Sequence, residues 1–78
     1  MSLLERTWSR IQAKIVKNTE KAYLLNFGGK VVANRSTGGE DVWFPRYVIR
    51  VDSDGKTLYV ADWWWIRNID IKLNKYRK

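Results

Sequence analysis

Three consecutive tryptophans, Trp63, Trp64 and Trp65, are the clearest candidates for molecular recognition in this chain. They follow a strand-like stretch at 57–62 and precede a basic segment. A regular element points at most about two of three consecutive side chains into one core, so we expect at least one exposed indole. Exposed indoles stack on nucleobases, and basic side chains pair with phosphates. In a chain of net charge +7, the triplet therefore predicts contact with single-stranded nucleic acid.

The binding residues are expected among the later tryptophans and the basic side chains. In a helical turn, Trp64 and Trp65 would diverge from Trp63 by about 100° per residue, so they are the functional candidates. Trp43 and Trp63 are expected in the core, because tryptophans bury large apolar areas. The predicted nucleic-acid-binding residues are Lys14, Lys17, Arg35, Arg46, Tyr47, Arg50, Trp64, Trp65, Arg67 and Lys72.

The positive charge is concentrated in the two ends of the chain. Residues 1–21 carry five basic and two acidic residues, residues 22–66 carry five of each, and residues 67–78 carry five basic and one acidic. If the fold brings the first strand beside the C-terminal segment, the two ends form one basic patch. Otherwise they are two solvated flanks, and the sequence leaves both arrangements open.

Several classes of chemistry are disfavoured by composition. The chain has no cysteine and no histidine, which excludes disulfides, thiolate zinc sites and Ser-His or Cys-His catalysis. The eight acidic residues fall mainly in predicted turns, so we expect no enzyme, no metal and no cofactor. The D-S-D-G run at 52–55 opens like a calcium loop but lacks the later ligands, and is interpreted as a turn. Without a long apolar run or a signal-like N-terminus, we expect a cytoplasmic protein with no membrane partner.

Alternating apolar and polar residues between turn residues predict a mainly all-β protein, with residues 1–78 as a single domain. A sheet of five or six short strands must close into a barrel or leave edge strands with unpaired backbone groups. We therefore expect a small SH3-like or OB-like barrel, and the pattern does not choose between these topologies. Strands are predicted at 11–16, 21–27, 30–33, 42–44, 46–51 and 57–61.

The flanks of the predicted barrel are less regular. Residues 1–10 are expected to form a short helix or a frayed lead-in. A short helical turn is expected near residues 62–67, with Asp62 as its cap. Residues 68–73 alternate apolar and polar side chains, which predicts another strand or an extended edge. Residues 74–78 are expected to be a basic tail.

One further pattern extends over about residues 18–66. It consists of T-E-K-A-Y-L-L at 19–25, E-D-V-W-F-P-R at 40–46, and then Ile49, Leu58, Val60, Asp62 and Trp63. This pattern resembles a group of small phage and prophage proteins with the motif T-x-K-A-x-L-L, then V-W-x-P-K/R-x-x-I, then a strand ending in tryptophan. The resemblance implies a small β-rich intracellular protein and supplies no activity or functional residue. The chain departs from the group in its longer loop at 28–39, the two extra tryptophans and the basic extension.

A protein-binding module is the main alternative function. Tryptophan, tyrosine and arginine are enriched at interface hot spots, so the same side chains would serve a protein partner. Homodimerisation through an edge strand or the tryptophan cluster is compatible with either function. The aromatic residues on strands would also serve as structural ladders, with cations on the opposite face, and Arg35 fits an ordinary hairpin tip. The salt dependence of binding distinguishes a nucleic-acid-binding protein from a protein-binding module. Nucleic-acid affinity falls steeply as salt rises, whereas a tryptophan-centred protein interface is far less sensitive.

Overall fold

Short antiparallel strands make up about half of the computed structural model, which describes residues 7–78. The prediction of a mainly all-β protein is confirmed, and a short helix follows the last strand where a helical turn was predicted. Two 3-10 helical turns lie at Arg46–Val48 and Ile71–Tyr76. The strands are β1 (Trp8–Ile11), β2 (Lys14–Asn18), β3 (Ala22–Phe27), β4 (Lys30–Val32), β5 (Arg35–Thr37), β6 (Glu40–Pro45), β7 (Ile49–Val51) and β8 (Leu58–Ala61), and the helix is α1 (Asp62–Asn68).

The strands form two three-stranded sheets and one hairpin. Sheet A has the order β1-β8-β7, sheet B has the order β2-β3-β6, and β4 pairs with β5. The chain passes from sheet A to sheet B at residues 12–13, and returns to sheet A through the 3-10 turn Arg46–Val48. The first corner divides the strand predicted at 11–16 into β1 and β2, and the second shortens the strand predicted at 46–51 to β7. With β5, which was not predicted, residues 7–78 contain eight strands instead of five or six. Because both corners join the same two sheets, the arrangement is barrel-like.

The core lies between the inner faces of the two sheets. Leu25, Phe27 and Phe44 of sheet B pack with Val60 of sheet A, and Trp65 of α1 fills the centre with no exposed surface. The indole of Trp65 meets the ring of Phe27 edge-on, with centroids 5.7 Å apart. Burial of these large rings supplies most of the apolar area that a domain of this size needs.

The β4–β5 hairpin is fastened to sheet B through Asn26, whose side chain is buried. Its Nδ2 donates to the Gly38 carbonyl at 3.0 Å and to Oδ1 of Asp41 at 2.8 Å, and its Oδ1 accepts from the Gly29 N–H at 2.9 Å. These three bonds satisfy the amide that folding removes from water, as buried polar groups require.

The C-terminal segment is docked on β1, so the prediction of a basic tail over 74–78 is wrong. The N–H of Gln12 donates to the Tyr76 carbonyl and the N–H of Lys78 donates to the Arg10 carbonyl, each at 2.8 Å. Ile11 and Arg77 face each other across this antiparallel bridge. The two basic ends of the chain therefore meet along one strand.

The strand predicted over 68–73 is also absent, because residues 71–76 form a 3-10 turn. Leu73 is buried there, whereas Ile71 remains 81% exposed. A 3-10 turn buries one residue in three, and this segment uses Leu73 as its anchor. The alternation in the sequence thus did not correspond to one buried and one exposed face.

Two predictions for the segments that flank the sheets are corrected by the structure. A short helix or frayed lead-in was predicted over residues 1–10, and residues 1–6 lie outside the described part of the chain. Trp8–Ile11 forms β1, so the prediction is wrong for residues 8–10. Asp62 is the first residue of α1 and not its cap, since the N-cap position is Ala61 and no side chain caps the helix. The Asp62 carboxylate accepts from Ser9 and Arg77 instead. Within residues 7–78, no helix is long and apolar enough to cross a membrane.

Candidate nucleic-acid interface

A row of basic and aromatic side chains crosses the outer face of sheet A. Arg10 of β1 lies opposite Tyr59 of β8, and Tyr59 lies opposite Arg50 of β7. Residues directly opposite one another in antiparallel strands project to the same face. The preceding row, which includes Val60 and Ile49, points into the core, so this row points outward. Both arginines are exposed and Tyr59 is partly exposed.

Trp8 extends this row along β1. It lies two residues before Arg10, and side chains two apart on a strand share a face. The Arg50 guanidinium carbon lies 4.1 Å from the centre of the Trp8 ring, in cation–π geometry. This contact holds Arg50 in place over sheet A. The partly exposed Trp8 and Tyr59 both line a shallow depression of about 370 Å³.

Lys78 continues the row on the other side of β1. Ile11 and Arg77 form the bridge between β1 and the C-terminal segment, and Arg77 donates to the buried Asp62. By strand alternation, Lys78 and Arg10 then lie beside each other on the outer face. We call the set Trp8, Arg10, Arg50, Tyr59 and Lys78 the sheet A platform. With neighbouring strands about 4.8 Å apart, its four-membered row spans roughly 14 Å.

One carboxylate borders the sheet A platform. Asp52 follows β7 and lines the same depression as Arg50, and its Oδ1 accepts from the Ser53 N–H at 2.9 Å. The negative charge of Asp52 would repel a phosphate placed near Arg50. Arg10 and Lys78, on the far side of Tyr59, are therefore the better positioned cations for phosphate contact.

The ten residues predicted from sequence do not form one site. Arg50 belongs to the sheet A platform, whereas Lys14 and Lys17 lie on the outer face of sheet B. Arg35 is exposed on the β4–β5 hairpin. Tyr47 and Arg67 lie on a separate surface described below.

Two predicted cations are engaged in structural contacts. Arg46 donates from Nη1 to the side chain of Asn18 and to the Thr19 carbonyl, and its guanidinium covers the Tyr23 ring at 4.6 Å. Lys72 forms an ion pair with Glu40 at 3.2 Å. Both side chains remain exposed, but their charges already have protein partners.

The tryptophan predictions are largely reversed. Trp65 is fully buried, so its assignment to the binding surface is wrong. Trp64 is partly buried, with its ring 4.9 Å from Phe44, and its main contact is with the core. Trp43 was expected in the core but is 51% exposed on sheet B. Because Phe44 takes the inward position of β6, its neighbour Trp43 must face outward.

Tyr47, Trp63, Ile66 and Arg67 form a second exposed surface, which we call the Tyr47 cluster. The rings of Tyr47 and Trp63 stack with centroids 6.5 Å apart, and the Arg67 guanidinium lies 5.9 Å from the Trp63 ring. Tyr47 is 71% exposed and Ile66 is 55% exposed. Trp63, which was expected in the core, is only partly buried here.

Sequence reasoning missed most of the sheet A platform. Trp8 and Arg10 alternate with Ser9 and Ile11, which is a strand period, but the segment was assigned to a helix or lead-in. Tyr59 lies on the strand predicted at 57–61 but was not among the ten predicted binding residues. Its position between two arginines depends on the register of β1, β7 and β8, which no local pattern contains.

Comparison of the chain with protein-family models, curated proteins and solved structures gives no match. The assignment of a function therefore depends on the residues and their geometry.

Proposed function

We propose that this protein binds nucleic acid with low sequence specificity, single strands in preference to duplexes, through the sheet A platform. The observation that carries the proposal is the register that places Tyr59 between Arg10 and Arg50 on the outer face of sheet A. The proposal assigns no catalytic step and no cofactor, and a cytoplasmic location stays a prediction.

The chemistry of the platform fits an unpaired strand. Arg10 and Lys78 offer charge to phosphates, and Tyr59 offers a ring face to a base, whereas the Trp8 ring is already covered on one face by Arg50. Base stacking on aromatic side chains contributes about 1–3 kcal/mol per base and tolerates any base, because every base has a π face. In a duplex the bases are already stacked on each other, so only an unpaired strand uses both parts of the platform.

The test is a fluorescence and anisotropy titration with a mixed-sequence single-stranded oligonucleotide, at about 50 and 300 mM salt. We expect saturable tryptophan quenching that weakens strongly at the higher salt. The double variant Arg10→Gln/Lys78→Gln, which removes the two cations best placed for phosphate contact, should lose most of the affinity. The matched control Lys21→Gln/Lys30→Gln removes the same charge from exposed positions away from sheet A and should bind nearly as the wild type does. A folded wild-type protein without binding at the lower salt contradicts the proposal.

A protein-interaction module is the second candidate function, and the Tyr47 cluster favours it. Tyrosine, tryptophan and arginine are the residue types of interface hot spots, and exposed Ile66 beside them adds apolar area. This function predicts that Tyr47→Ser/Ile66→Ser abolishes association with a partner, or with a second copy in sedimentation. The same variant should leave oligonucleotide affinity unchanged. An association that is insensitive to salt would distinguish the protein-interaction function from nucleic-acid binding.

A further inference from the structure

We propose that the outer face of sheet B is a second contact for single-stranded nucleic acid, so that one molecule bridges two strands. The inference rests on the proposed function, because it assigns the same class of ligand to a face opposite the sheet A platform. Bridging is an additional activity: it would bring two strands together without any chemical step.

The first observation is a row of three side chains across sheet B. Lys17 of β2 lies opposite Leu24 of β3, and Leu24 lies opposite Trp43 of β6. Tyr23 and Leu25, which flank Leu24, are buried, so this row faces outward. Within residues 7–78, no aromatic ring stacks on Trp43, which leaves half of its surface in solvent. An exposed indole and a lysine on the same face of a sheet, here separated by Leu24, are the side-chain types that stack bases and contact phosphates.

The second observation is the charge of this face. Lys14 lies two rows from Lys17, because they pair with Asn26 and Leu24 of β3. In the described part of the chain, neither lysine has a carboxylate within ion-pair distance. Asp41 belongs to the Lys14 row, but its carboxylate accepts from Ser36 Oγ at 2.6 Å and from Asn26 Nδ2 at 2.8 Å. These bonds fix the carboxylate of Asp41, which remains exposed, beside the β4–β5 hairpin. The open part of the face is therefore Lys17, Leu24 and Trp43, whose charge complements a phosphate backbone.

The third observation is the placement of the two faces. Side chains from both sheets meet in one core, so the outer faces of sheet A and sheet B point away from each other. A short strand on the sheet A platform cannot also lie on Trp43. The molecule measures only 40 × 26 × 21 Å, so two strands bound on opposite faces would be held close together.

The experiment uses two non-complementary oligonucleotides of about eight nucleotides, within the usual range of binding-site sizes, one with a donor fluorophore and one with an acceptor. Wild-type protein should produce energy transfer between them, and excess protein should abolish it by giving each strand its own molecule. Trp43→Ala/Lys17→Gln should lose the transfer while a single labelled oligonucleotide still binds in anisotropy. Trp43→Phe keeps a ring face and should retain transfer. Thermal unfolding should show these exposed variants to be folded.

Three outcomes overturn the inference. One is a stoichiometry of one oligonucleotide per protein without transfer, and the second is transfer that survives in Trp43→Ala/Lys17→Gln. The third is sedimentation of a protein dimer that carries one strand per copy, since self-association alone then explains the transfer. In all three an oligonucleotide still binds, so nucleic-acid binding stands, and Arg10→Gln then tests whether the sheet A platform holds it. Absence of any oligonucleotide binding instead removes the proposed function and bridging together.

Discussion

Arg77 donates a hydrogen bond from Nη1 to Oδ1 of Asp62 at 2.9 Å, which ties the C-terminal segment to the first residue of α1. Ser9 Oγ of β1 donates to the same oxygen at 2.5 Å. One buried carboxylate thus joins β1, α1 and the segment that carries Lys78. The placement of Lys78 beside Arg10 depends on this junction.

Asp62→Asn is expected to destabilise the protein by about 1–3 kcal/mol, because it removes a charge-assisted acceptor from two donors. Burial by itself raises the pKa of Asp62, but hydrogen bonds from Ser9, Thr7 and Arg77, with the Arg77 charge, outweigh it and lower the pKa below 3.8. The stabilisation is therefore complete above the unfolded-state pKa of about 3.9 and is lost as pH falls through the lower folded-state pKa. Urea unfolding between pH 7 and 2 measures this. Asp62→Asn should lack this acid-dependent loss, whereas Glu20→Gln, on an exposed turn, should behave as the wild type does.

Asn74→Ala is expected to cost about 1–3 kcal/mol although Asn74 is exposed, since it leaves the buried indole N–H of Trp65 without an acceptor. Nε1 of Trp65 donates to Oδ1 of Asn74 at 2.7 Å. Trp65→Ala should cost about 3–5 kcal/mol through the cavity alone. A double-mutant cycle with Trp65→Phe isolates the hydrogen bond. Additive effects of Trp65→Phe and Asn74→Ala would contradict a coupling between the two side chains.

Asn26→Asp is expected to cost about 2–3 kcal/mol at neutral pH, because an ionised carboxylate cannot donate to the Gly38 carbonyl or to Asp41. Two carboxylates at this separation also repel, which raises the pKa of the introduced group. A raised pKa means that the cost is absent below the unfolded-state pKa and appears as pH rises. The difference from wild type should therefore shrink below about pH 4. Asn34→Asp, the same change at the exposed hairpin tip, should show no comparable cost.

Substitutions in the sheet A platform should separate charge from stacking. Arg10→Gln is expected to lower the slope of log affinity against log salt by about one, for one lost phosphate contact. Tyr59→Leu should weaken binding by about 1–3 kcal/mol at every salt concentration and leave the slope unchanged. Anisotropy titrations over a salt series measure both quantities. Equal slopes for Arg10→Gln and wild type would place the phosphate away from Arg10.

The strands and turns that depend on local patterns were predictable, whereas the candidate site was not. The apolar residues of β3, the turn at 52–55 and the helix after β8 follow from residue types within a few positions. Trp43 and Trp65 were assigned the wrong way round because each is decided by its neighbours in space. Phe44 takes the inward position next to Trp43, so Trp43 faces outward. Trp65 is buried in the core, where its indole N–H donates to Asn74.

The docking of the C-terminal segment on β1 was not predicted, for a similar reason. Residues 74–78 are polar and basic, which locally is typical of a solvated tail. Their attachment depends on β1 backbone groups and on Asp62, which lie far away in the chain. Arg77 also neutralises that carboxylate, so the segment is held by several specific partners and not by apolar burial alone.

The pairing of β1 with β8 and with the last residues also bears on how the chain folds during synthesis. Trp8 pairs with Ala61, and Arg10 accepts from Lys78, so the first strand has no partners while it leaves the ribosome. Sheet B, whose three strands lie within residues 14–45, is able to form earlier. Contacts between distant parts of a chain form slowly because a long loop must close first. The sheet A platform is thus assembled only after residues 58–78 have emerged from the ribosome. Until then the nascent chain lacks its complete binding face.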